Sequence, residues 1–384
     1  NVYMSSSGFG PYNSGTNLIL NGYTLTTPAL TIGIDDTTKN PVGGTRITGG
    51  TTSQIILTGT GTILTYSGAG YTTTTGSVPP ITLSNTSTTA RTLTLGSGRY
   101  EKITIGGTTG TSTTTITGGG YVGEWASTKT VAHTMLFSSA SQNSFKKWSI
   151  TGTAGNVVTI GPATAAAVYN FVPNPRVTGV DYLSISYCAV CSYVTGGDAN
   201  QGAEFYAGAN STNGGGNVNQ IYFTTAPTAT TRYWVGGTGT WDAVTTTNWS
   251  TTSGGTGGAS VPTSVDNVVF DSASSSGSYT VTINSVSSTT NRKCADLTIS
   301  GPATGNVTIA YYAGTYVLNI FGSLTIAGTG VIWSFALPIA FLATTIGKTI
   351  TTNGVVISTG LNNLYFDGDG GEWTLGSSFT KTGA

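Results

Sequence analysis

Charge is the scarcest property of this sequence. Lys, Arg, Asp and Glu together make up 7% of its 384 residues, in equal numbers of each sign, and there is one histidine. A typical globular domain carries about 25% charged residues. With zero net charge and a pI near 6.8 there is no basic stripe to neutralise phosphates and no polybasic segment for anionic lipid. Binding to nucleic acid is therefore excluded as an expectation. The three cysteines are too few for a disulfide framework. Lys, Glu and Arg, which populate helix surfaces, are nearly absent, and runs such as Thr111 to Thr115, β-branched but for Ser112, are costly in a helix. No apolar run is long enough for a confident membrane span, which needs about 20 residues. The longest, Val331 to Ile346, is interrupted by Ser334, Pro338 and Thr344 and reads as buried strands meeting at a turn.

What remains is glycine (56 residues), Thr, Ser and a hydrophobic share of 38%, too apolar for a disordered chain. The fold class is all-β. Short strands recur between Gly and Asn: Asn17 to Leu20, Gln54 to Leu57, Arg91 to Leu95, Lys102 to Ile105 and Asn267 to Phe270. Many alternate apolar residue and Thr, the period of a strand with one buried face. An internal repeat relates Trp148–Ile160 to Leu297–Ile309, with one residue inserted in the Gly-rich turn, and Asp266–Asp271 echoes Asn362–Asp367. Self-similar strands around Gly turns predict a right-handed parallel β-helix, a β-solenoid, with an antiparallel β-sandwich as the alternative. The charge deficit fits stacked coils. Equivalent side chains then lie about 4.8 Å apart, where two like charges repel by roughly 0.9 kcal/mol even in water. Neutral surfaces also favour assembly, so self-association as a homo-oligomer, a trimer by preference, is expected.

The polar stretch Thr224 to Arg232 divides the chain into a solenoid-like module over 1–225, a linker at 226–232 and a second module over 233–384, whose last coil reads as continuing beyond 384. The second module opens with Tyr233-Trp-Val-Gly-Gly-Thr-Gly-Thr-Trp241, then Asn248-Trp249-Ser250, a Gly-rich loop and Val261-Pro-Thr-Ser-Val-Asp-Asn-Val-Val-Phe270. This pattern resembles a lead-in module that precedes β-helical regions in bacterial autotransporter-like adhesins and in repetitive fibre-like proteins of phage genomes. With weaker likeness through Thr153–Thr159, Val180–Ile185 and Tyr206–Thr212, the resemblance covers roughly 145–310; the first 140 residues lie outside it. It implies an extracellular or virion-surface role, with other virion or cell-surface proteins and host glycan as partners, and fixes no ligand.

Catalytic chemistry finds little support. His133 lacks the signature of a base oriented by a third group. Glu101, Glu124, Asp181, Asp198 and Glu204 supply carboxylates for glycoside hydrolysis, but no pair has a spacing that sets two across a groove. Cys188 and Cys191 have CxxC spacing in a strand context, where their side chains diverge unless a tight turn intervenes. Asp367, Asp369 and Glu372 form the densest acidic cluster and a weak calcium candidate. No cofactor is expected. Aromatic residues offer two readings: Trp234, Trp241 and Trp249, with Tyr311 and Tyr312, could stack on sugars, or the tryptophans plug the open end of a solenoid, which is the favoured reading.

Overall fold

The structure is a computed structural model that describes residues 2–4, 17–32, 46–48, 52–66, 77–84, 86, 88–96, 98–107, 110–139, 142–173, 176–190, 203–284, 292–311, 317–336, 338–358, 364–368 and 370–382. Every regular element among these residues is a β-strand. The chain separates into two units, Asn1–Cys191 with Glu204–Ala226, and Pro227–Ala384 with Ser192–Ala203. The strand Thr231–Trp234 begins inside the stretch expected to be linker.

In the first unit the chain shuttles between two nine-stranded parallel sheets, laying one strand on each per coil. Gln54–Leu57, Ile81–Leu83, Arg99–Ile105, Gly120–Ser127 and Gln142–Ser149 follow one another in one sheet. Gly61–Tyr66, Arg91–Thr94, Thr113–Thr117, His133–Phe137 and Val158–Pro162 do so in the other. The register builds continuous rows. Ile55, Ile81, Ile103, Trp125 and Trp148 are successive Cα partners, and all five are buried. Parallel strands buried on their inner face need apolar residues at every second position, which the Ile-Thr and Leu-Thr alternation provides. In the later coils rings fill the core: Phe171 packs at 4.8 Å from Phe137 and 5.2 Å from Trp148 between centroids. A third short sheet, Arg176–Val177, Glu204–Tyr206 and Ile221–Tyr222, joins there.

The second unit is three-sided, with sheets of seven, four and four strands and a two-stranded sheet of Ile357–Ser358 and Lys381–Thr382. In the seven-stranded sheet Val268 pairs with Leu297, Leu297 with Leu324, Leu324 with Ile350 and Ile350 with Leu375, so successive coils take 29, 27, 26 and 25 residues. The apolar run from Val331 is shared between Val331–Trp333 and Ile339–Phe341, strands of different sheets. No helix among the described residues is long and apolar enough to cross a membrane.

Both copies of the internal repeat are strand–turn–strand corners of parallel coils. Gln142–Ser149 leads to Val158–Pro162, and Leu297–Ile299 leads to Val307–Tyr311. The glycines in the turn serve two purposes. Gly152 and Gly301 sit against the next coil, where an added Cβ would lie 2.4 Å from the Tyr182 carbonyl oxygen and 2.7 Å from that of Gly330. Gly155 and Gly305 adopt φ of +79° and +88°, the left-handed region that L side chains disfavour. The Asp266 echo has no such equivalence: Asn267–Phe270 belongs to the seven-stranded sheet and Leu364–Phe366 to a four-stranded one, while Asn362 lies outside the described residues. The antiparallel sandwich is corrected: among the described residues all strand pairs are parallel but Thr231–Trp234 with Trp249–Ser250.

Candidate functional site

The Trp-rich motif forms the head of the second unit. Trp234, Trp241 and Trp249 are at most 1% exposed and lie in the same apolar core cluster as Phe270. Trp249 packs edge-on to Trp234 at 5.0 Å and to Trp241 at 5.4 Å. Their faces are covered by each other and by the first coil, so as sugar-stacking platforms these three are corrected: no ring face is open. The strand Trp249–Ser250 runs antiparallel along the edge of Thr231–Trp234 and occupies a ladder that would otherwise template further strands.

The polar residues of the motif hold this head in place. Asn248 Nδ2 donates to the Val235 carbonyl at 3.0 Å, and Trp234 Nε1 donates to that of Gly237 at 2.7 Å. Asp266, 2% exposed, accepts four hydrogen bonds, from the amide and hydroxyl of Thr230 and of Thr263, at 2.7 to 3.0 Å. Asp242 accepts from the amides of Val244 and Thr245 and from the Thr245 hydroxyl. Burial raises its carboxyl, and these bonds with the nearby Arg292 bring it below its ordinary value. Burial in turn lowers the Arg292 guanidinium to about 10, against the opposing pull of Asp242.

The remaining candidates are dispersed. Tyr311 is 42% exposed, with an edge contact to Phe335 at 6.4 Å, and Tyr312 lies outside the described residues. Asp367 is partly buried, which raises its carboxyl, Glu372 is exposed, and Asp369 lies outside the described residues. No group of three or more His, Cys, Asp or Glu side chains is placed to hold a metal among the described residues. Cys188 is fully buried and Cys191 lies outside the described residues.

The carboxylates named for glycoside hydrolysis have separate tasks. Glu204, fully buried, is 2.7 Å from Arg176 Nε, and that guanidinium lies over the Tyr206 ring at 4.9 Å. Asp181 ties two coils, accepting from the Asn210 amide at 2.8 Å and from its Nδ2 at 2.7 Å. Glu124 stands between Lys102 and Lys147, its register partners in the flanking coils, at 3.0 and 3.1 Å, and accepts from Ser149 Oγ at 2.7 Å. Asp198 lies outside the described residues, and Glu101 has a carboxyl raised by burial. The Lys–Glu–Lys ladder has no local signature in the sequence, because its members are 22 and 23 residues apart. A coil-length comparison of the charged positions would find it.

No family model matches this sequence, and neither curated proteins nor solved structures give a match.

Proposed function

We propose that the chain is a non-enzymatic structural or attachment protein of a phage virion surface: a solenoid fibre, spike or decoration element. The observation that carries this reading is how the polar chemistry is used. Glu124, Asp181, Asp242 and Asp266 hold coil to coil or close a turn, and Glu204 neutralises Arg176. The coils display in-register hydroxyl rows such as Thr298, Thr325 and Thr351. Backbone ladders along two or three faces give a stiff body. Its neutral hydroxyl surface suits short-range hydrogen bonding to further copies of the chain or to host glycan, with Tyr311 as an accessible ring. The likeness of the Trp234–Phe270 motif to lead-in modules of surface proteins supports display outside the cell.

Immunogold labelling with an antibody to this chain, applied to virions and to cell envelopes from the source, tests the proposal. Label along virion appendages or capsids is expected. Label confined to envelopes would overturn the virion assignment in favour of a bacterial adhesin or matrix protein. Loss of polysaccharide from a capsule preparation treated with the pure protein would overturn the non-enzymatic part in favour of a depolymerase.

A further inference from the structure

Two cationic side chains, Arg91 and Lys129, meet the imidazole of His133 inside the first unit, with no carboxylate among the described residues contributing to their electrostatics. Arg91 opens the strand Arg91–Thr94, points inward and is 2% exposed. Its register partner is Thr114, and that of Thr114 is Met135, so the guanidinium stands in an otherwise uncharged row. Nε donates to Thr114 Oγ1 at 3.2 Å and Nη2 to Ser112 Oγ at 3.0 Å, whereas Nη1 is buried with no hydrogen-bond partner among the described residues. Lys129, 9% exposed, comes from the corner that follows Gly120–Ser127. Its Nζ donates to the Gly110 carbonyl at 2.7 Å, which uses one of the three ammonium hydrogens. The segment from Gly110 to Thr114 thus receives both cations. His133 is 3% exposed, with Nδ1 at 3.1 Å from the Val131 carbonyl and Nε2 at 3.3 Å from Ser127 Oγ. Burial lowers all three groups, and Arg91 lowers Lys129 further. A neutral His133 then donates through Nδ1 and accepts through Nε2. Among the described residues no acidic side chain contributes to the electrostatics of any of the three.

Buried charges are costly unless paired, and a planar guanidinium with a free edge is a ready donor to an anion. We propose that this cluster binds a small inorganic anion, a halide or compact oxyanion, between Arg91 Nη1 and Lys129 Nζ, with Ser112 and Thr114 fixing the guanidinium. Such an anion fastens successive coils of the first unit from inside.

The experiment compares thermal unfolding of the full chain at constant ionic strength in chloride, bromide, nitrate and sulfate, with gluconate as an anion too bulky to be buried. A rise of several degrees over gluconate is expected in at least one small-anion salt, because a ligand that binds only the folded state raises Tm. Nitrate and sulfate against the halides distinguish oxyanion from halide. Arg91→Leu, which places an apolar side chain in an inward row, should abolish the dependence on anion identity; Lys129→Met provides the same test if the first variant does not fold. Where the halides raise Tm, crystals of the native chain grown in bromide should show an anomalous peak within hydrogen-bond distance of Arg91 Nη1. Equal Tm in every salt, or a folded Arg91→Leu that keeps the full anion response, would overturn the proposal, as would a bromide map without a peak at the cluster where bromide raises Tm.

Discussion

Ile299 has Phe270 as its register partner on one side and Ile326 on the other, and all three are buried. An aspartate there would be an unpaired charge within an apolar row. Ile299→Asp is expected to cost more than about 4 kcal/mol, read as a collapse of the urea midpoint. Thr298, next along the strand, lies between Val269 and Thr325 on the outer face, where Thr298→Ser should cost less than about 1 kcal/mol. Equal melting of Ile299→Asp and the parent would contradict the inward placement. Glu124 makes a second residue-level test. Burial raises its carboxyl, but bonds from Ser149, Lys102 and Lys147 lower it to about 2, from an ordinary 4.5. Because the folded value is depressed, the stabilisation is complete above pH 4.5 and disappears as pH falls toward 2. Glu124→Gln should therefore be less stable than the parent near neutrality, by about 1 kcal/mol for a partly screened pair, with the gap closing across that window. A gap that stays constant down to pH 2 would show that the carboxylate charge contributes nothing.

At the scale of the element, the repeat turn separates two kinds of glycine. Gly155 has a left-handed φ of +79° and open space where a Cβ would stand, so Gly155→Ala costs only local backbone strain, about 1 to 2 kcal/mol. Gly152→Ala would drive its Cβ to 2.4 Å from the Tyr182 carbonyl and must displace the next coil. It is expected to be the more damaging of the two by guanidinium denaturation, and the reverse order would contradict the coil-on-coil approach. The same turn explains why the corner was legible in the sequence. Strand, close-approach glycine, left-handed glycine and Asn recur in fixed order in residues 148–160 and 297–309, so the corner could be read from the repeat of the two segments. The three tryptophans that the sequence sets within one short stretch, Trp234, Trp241 and Trp249, are buried in one core cluster. Not legible were arrangements made by the coil period. Asp266 and the Asn362 segment share letters but occupy different faces, and Arg91, Lys129 and His133 meet only once the register of three coils is fixed.

For the molecule as a whole, scarcity of charge follows from stacking identical positions about 4.8 Å apart, and the row that carries Lys102, Glu124 and Lys147 alternates in sign. Both units obey one rule: apolar rows inside, hydroxyl rows outside, coil upon coil in register. The most direct test is a pair of cysteines on neighbouring coils. Thr298 and Thr325 are Cα partners on the outer face, and parallel neighbours lie within the Cα separation a disulfide spans. Under mild oxidation the Thr298→Cys, Thr325→Cys variant should crosslink readily, detected by mass spectrometry of the linked peptides, whereas Thr298→Cys with Ile326→Cys, whose second side chain faces the core, should not. Absence of the in-register crosslink, or equal crosslinking of both pairs, would contradict the stacked-coil structure.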